Sequence, residues 1–132
     1  MGFKRIILQD AGLSRNMRAG DNWDNPVIST VSADANATVS AAQVAGGVIQ
    51  YTGFSAGRTL TTDTAANFLA AFPEMDIGDA LGFTISVVPA FAGTFAAGTG
   101  VTLAGRATVP AASAVTIYLI KTSATTVTWN VM

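Results

Sequence analysis

From Leu81 to Val87 every second residue is large and apolar. Leu81, Phe83, Ile85 and Val87 alternate with Gly82, Thr84 and Ser86. A helix cannot bury such a pattern on one side, because its faces repeat every 3.6 residues; a strand with one buried face can. The same alternation returns twice near the end of the chain. Val115, Ile117 and Leu119 are followed, after Thr122-Ser123-Ala124, by Val127, Trp129 and Val131. Two alternating runs across a short polar turn predict a hairpin.

Shorter β signals fill the rest. Val27–Ser32, a weak alanine-bearing run Ala37–Val44, and Val48–Phe54 are separated by Asp34-Ala35-Asn36 and Gly46-Gly47. Thr94–Ala96 and Val101–Leu103 flank Gly98-Thr99-Gly100, which reads as a hairpin turn, and Ala107–Val109 follows. One helix interrupts. Thr62 and Asp63 are good N-cap types, Phe68, Leu69 and Phe72 fall at helical spacing, and Pro73 ends the run. About nine residues cannot hold a helix alone, so this one near 63–72 must pack on a sheet. The expected fold is mainly β: an antiparallel β-sandwich or barrel, jelly-roll-like, with one short α-helix. Phe68, Leu69, Phe72, Phe83, Ile85, Val87, Ile117, Leu119, Val127 and Trp129 are the expected core and self-association residues. An N-terminal arm, 1–25, is expected to precede a single β-rich domain, 26–132.

Charge divides the chain in the same way. Only 11% of residues are charged, against about 25% in ordinary domains. Of the fifteen, only Arg106 and Lys121 follow residue 79. Lysine and glutamate are the usual guards against strand-to-strand association. A β module with outward rows of Thr, Ser, Gly and Asn is therefore expected to stack against copies of itself.

The composition also narrows the chemistry. There is no His and no Cys. That removes an imidazole base, a Ser-His-Asp triad, a thiolate nucleophile and the usual zinc ligands. Glu74, Asp76 and Asp79 do not follow the order of a calcium loop and read as turn residues around Gly78. A net charge of −1 supplies no basic stripe for nucleic acid. The charge-free stretch from Ala80 up to Arg106 is broken by glycines and a proline and does not read as a membrane span. Non-enzymatic, cofactor-free function is expected, without metal, nucleic-acid or membrane partners. Trp23 and Phe91 lie in less regular segments, where an exposed ring would contact a partner or a sugar.

The segment Leu60 to Val131 has a recognisable order. Leu-Thr-Thr-x-Thr-Ala-Ala-Asn and a short helix are followed by Ile77-Gly78-Asp79 and Phe83-Thr84-Ile85. Gly98-Thr99-Gly100-Val101-Thr102-Leu103-Ala104-Gly105 and the Thr-rich closing segment Lys121–Thr128 complete it. This order resembles the phage capsid decoration (cement) and head-fibre proteins; Ser123 stands where that family commonly has glycine. The resemblance implies a β-rich homotrimer on the exterior of the virion capsid, stabilising it by bridging major capsid proteins. The arm is where capsid docking is expected, through Lys4, Arg5, Ile6, Ile7, Leu8, Arg15, Arg18 and Trp23. The alternative is a head- or tail-fibre module that binds host-surface glycans.

Overall fold

A computed structural model describes residues 26–88 and 90–132, so the arm lies outside the described residues. The first six strands wind between two sheets. β1 (Val27–Val31), β3 (Gly47–Tyr51) and β5 (Ala80–Val87) run parallel in one sheet. β2 (Ala37–Val39), β4 (Arg58–Thr62) and β6 (Gly93–Ala96) run parallel in the other. Each turn of this coil is one rung, with one strand in each sheet.

The last four strands close the structure. β7 (Val101–Gly105) forms the far edge of the first sheet, and β8 (Thr108–Val109) pairs antiparallel with β6. β9 (Ser113–Lys121) pairs antiparallel with β5 and with β10 (Val127–Val131), and β10 runs parallel to β7. The result is a six-stranded sheet, β1-β3-β5-β9-β10-β7, facing a four-stranded sheet, β2-β4-β6-β8. The fold is mainly β and sandwich-like, as the alternation predicts.

The pairing is mixed, with five parallel pairs, whereas antiparallel pairing was expected throughout. Parallel neighbours need a long crossover between them. Within the coil the crossover is the strand in the opposite sheet plus one of two helices, and between β7 and β10 it runs through β8 and β9. The first is α1 (Ala41–Gly46), in part of the segment read as a weak strand. Its alanines, which weaken a strand, favour a helix. Ser40 and Gln43 form a reciprocal capping box, and Gly47 takes φ +97° at the C-terminus, a conformation that costs glycine little.

The second helix, α2 (Ala65–Ala71), lies within the expected span, but its N-cap is Thr64. Asp63 points elsewhere: its carboxylate accepts from the backbone N–H of Ala41 at 3.0 Å and of Thr64 at 2.8 Å. It also accepts from Asn67 Nδ2 at 2.6 Å. One side chain thus ties the starts of both helices together. Phe72, before Pro73, leaves the helical region at φ −124°, ψ 65°.

Gly98-Thr99-Gly100 does not make a hairpin, because β6 and β7 lie in different sheets. It carries the chain across between them. Its backbone passes so close to β4 that a Cβ on Gly98 would sit 2.5 Å from the Thr62 carbonyl oxygen. Buried Thr62 accepts the Gly98 N–H at 2.8 Å and donates to the Asp63 carbonyl.

The core lies between the sheets around Trp129, which is fully buried. Phe83 meets its ring edge-on at 5.0 Å, with Phe68 at 5.7 Å and Phe95 at 6.0 Å. Ile85, Val87, Ile117, Leu119 and Val127 fill the inward rows around it.

Candidate interaction surface

The residues expected for core and self-association divide clearly. Phe68, Phe83, Ile85, Val87, Ile117, Leu119, Val127 and Trp129 are buried, and Leu69 and Phe72 pack on them half-buried. They hold the sheets together, so contacts with another molecule must come from the opposite rows. The candidate docking residues Lys4, Arg5, Ile6, Ile7, Leu8, Arg15, Arg18 and Trp23 lie outside the described residues.

Strand register fixes what the outer face of the six-stranded sheet contains. One row runs Ile28, Val48, Thr84, Thr116, and the next Thr30, Gln50, Ser86, Ala114. A third runs Gly82, Tyr118, Asn130, Ala104, and a fourth Ala80, Ile120, Thr128, Thr102. No residue in these rows is charged. The smaller sheet presents a second neutral face, with Thr59, Thr94 and Thr108 in one row and Thr38 and Thr61 beginning another. Both faces follow from one sequence property: the polar partner in each alternation is Thr, Ser, Asn or Gly rather than Lys or Glu.

The larger face has one aromatic feature. The Tyr118 ring lies over Gly82, where a Cβ would come within 3.2 Å of it. Glycine there leaves room for the ring to lie flat, and Tyr118 keeps 40% of its surface exposed. Asn130 is its cross-strand partner on the other side. Phe91, at the β5–β6 turn, is also exposed, beside exposed Val88. Trp23 is outside the described residues.

The charged groups do structural work at the ends of the strands. Asp34, in the β1–β2 turn, accepts from the Ser55 N–H and hydroxyl and from Arg58 Nε and Nη2 at 3.0 and 2.8 Å. These bonds tie one rung to the next. Hydrogen bonds from Ser55, then the bond and charge of Arg58, hold the Asp34 carboxyl at about 2. At Asp63 partial burial pushes the pKa up, but the bonds from Ala41, Asn67 and Thr64 outweigh it and leave a net lowering. Lys121 donates to the Met75 carbonyl at 3.0 Å. The Asp79 carboxylate accepts the Asp76 N–H at 2.9 Å, a turn role as expected. Among the described residues no group of three acidic side chains is arranged to hold a metal ion. Among them, too, no helix is long and apolar enough to cross a membrane.

Comparison with known proteins gave no matching family model, no significant curated relative and no significantly similar solved structure.

Proposed function

We propose that this protein is a bacteriophage capsid decoration protein: a non-enzymatic homotrimer that binds the exterior of the head and bridges major capsid proteins. The observation that carries this reading is the uncharged outer face of the six-stranded sheet. Soluble surfaces normally carry about 25–35% charged residues, and exposed strands use them to avoid self-pairing. A face without charge suits permanent contact with copies of the same chain. The order of motifs from Leu60 to Val131 supports the same reading.

Trimerisation gives weak docking its strength. Three linked copies engage a symmetric lattice with an avidity above that of one copy, without new contact chemistry. The basic residues Lys4, Arg5, Arg15 and Arg18, with Trp23, are the proposed capsid contacts. The test is co-sedimentation with intact heads of the phage that carries the gene. Binding is expected for the natural chain, and its loss for Arg15→Glu/Arg18→Glu with the trimer intact. Absence of the protein from purified heads would reject the reading.

A second reading rests on Tyr118. A half-exposed ring beside Asn130 has the form of a sugar-stacking site, which fits a fibre module that holds host-surface glycans. A glycan array separates the two, since decoration predicts no hits.

A further inference from the structure

We propose that Tyr118 anchors the self-association face and stacks on the Tyr118 ring of a neighbouring copy at the symmetry axis. This rests on the self-association proposed above and adds which residues meet. Register places Tyr118 at the middle of the face. Two of the four outer rows cross β1, β3, β5 and β9, and the other two cross β5, β9, β10 and β7. All four rows therefore share β5 and β9. The two inner rows meet there as Gly82 and Tyr118 beside Thr84 and Thr116. Of these central residues only Tyr118 has a large side chain. In a closed assembly that buries one face against copies of itself, the centre of the face lies nearest the axis. A central residue then meets its own counterpart.

Shape, exposure and area fit that position. The ring is held flat over Gly82 and keeps one face open, so it meets a partner at little further entropy cost. The Asn130 amide leans away toward β7, its oxygen 3.1 Å from where a Gly105 Cβ would sit. Apolar groups flank the centre. Ile28 and Met132, each 60% exposed, lie at the two ends of the Thr84–Thr116 row, Met132 through its N–H bond to the Thr116 carbonyl at 2.9 Å. Offset stacking of two such rings is a favoured aromatic geometry, and tyrosine is enriched at interface centres. No residue of the four rows is charged, so closing the face buries no unpaired charge. Four strands at about 4.8 Å by four rows at about 6.7 Å cover on the order of 500 Å² in projection. The accessible area of a side-chain-covered sheet is larger than its projection, and a standard interface takes about 800 Å² from each partner.

The chain has two tyrosines, and Tyr51 is fully buried, so surface tyrosine chemistry reports on Tyr118 alone. Brief photo-oxidation with a ruthenium complex and persulfate couples neighbouring phenols. Each ring loses one hydrogen as a proton and an electron, persulfate takes up the two electrons, and a carbon–carbon bond joins the rings. The full natural chain at micromolar concentration should give covalent dimers through dityrosine, and Tyr51→Phe should cross-link equally. Tyr118→Phe should lose the product with its sedimentation unchanged. Thr84→Lys/Thr116→Lys, expected to be monomeric, sets the background from collisions. Tyr118→Ala should weaken association about thirtyfold, the loss an interface anchor causes. Gly82→Ala, whose Cβ displaces the ring, should weaken it in the same direction. A self-associated chain that yields no dityrosine, or as much from Tyr118→Phe, would overturn the proposal and leave self-association standing. Unchanged association of Tyr118→Ala would overturn it equally. A monomer in sedimentation would overturn both.

Discussion

Trp129→Ala tests whether the two sheets close on one aromatic centre. Trp129 is fully buried and has three phenylalanines with ring centroids 5.0 to 6.0 Å away. Truncating a buried aromatic residue to alanine costs about 3–5 kcal/mol. Each aromatic pair contributes about 0.5–1.5 kcal/mol beyond its buried area. Three partners put the loss in the upper half of that range, about 4–5 kcal/mol. A domain holds about 5–15 kcal/mol in total, so the variant is expected near the limit of folding. Urea unfolding followed by far-UV circular dichroism reads this directly. At a slope near 1.5–2 kcal/mol/M, the midpoint should fall by about 2–3 M with the slope unchanged. Trp129→Phe is the companion variant. It keeps a ring and removes an indole N–H that no described protein group accepts, so about 1–2 kcal/mol is expected. A cost below about 2 kcal/mol for alanine, or equal costs for the two variants, would refute the reasoning.

Gly98→Ala should cost about 1–3 kcal/mol in the same assay, because its Cβ would meet the Thr62 carbonyl in the inter-sheet crossing; a neutral result would contradict that close approach. Asp63→Ala removes a cap shared by both helices and should cost about 1–2 kcal/mol at pH 7. The loss should shrink in acid, since a depressed carboxyl pKa stabilises only while the group is ionised. Asp34 has its pKa lowered from 3.8 to about 2, so its contribution is complete above about pH 4 and disappears as pH falls toward 2. Asp34→Asn should flatten the stability–pH curve in that window, and an unchanged curve would count against the Asp34–Ser55–Arg58 tie. Thr84→Lys/Thr116→Lys places two like charges on neighbouring strands of the outer face. It should convert trimer to monomer while leaving the circular dichroism spectrum intact; a persisting trimer would exclude that face.

Much of the sandwich was legible because alternation reports burial directly. The strands Leu81–Val87, Val115–Leu119 and Val127–Val131 declare an inward row, and that row is the core. Strand pairing was harder to read. Parallel and antiparallel neighbours bury the same faces, and the difference lies in where the chain travels between them. The segment from Ala37 shows the problem: it contributes three strand residues, then turns into a helix whose capping box is Ser40 and Gln43. Arg58–Thr62 went unrecognised as β4, since a five-residue run with one large apolar residue, Leu60, carries little periodicity. Gly98-Thr99-Gly100 has turn chemistry that suits a hairpin and a sheet crossing equally well.

The surface was legible in composition but not in arrangement. The shortage of charge after residue 79 foretold a neutral face. Only register shows that the neutral rows each cross four strands, two over β1, β3, β5 and β9 and two over β5, β9, β10 and β7. Tyr118 alternates outward in the sequence, yet its place over Gly82 and next to Asn130 needs strands 36 and 12 residues away in the chain. The tie from Asp34 to Ser55 and Arg58 likewise joins adjacent rungs and follows from the coil alone.

Self-association through the uncharged face is the claim on which the functional account depends. Sedimentation equilibrium of the full chain at micromolar concentration tests it most directly. The account predicts a single species of three times the 13.5 kDa chain mass, and a stable monomer would contradict it.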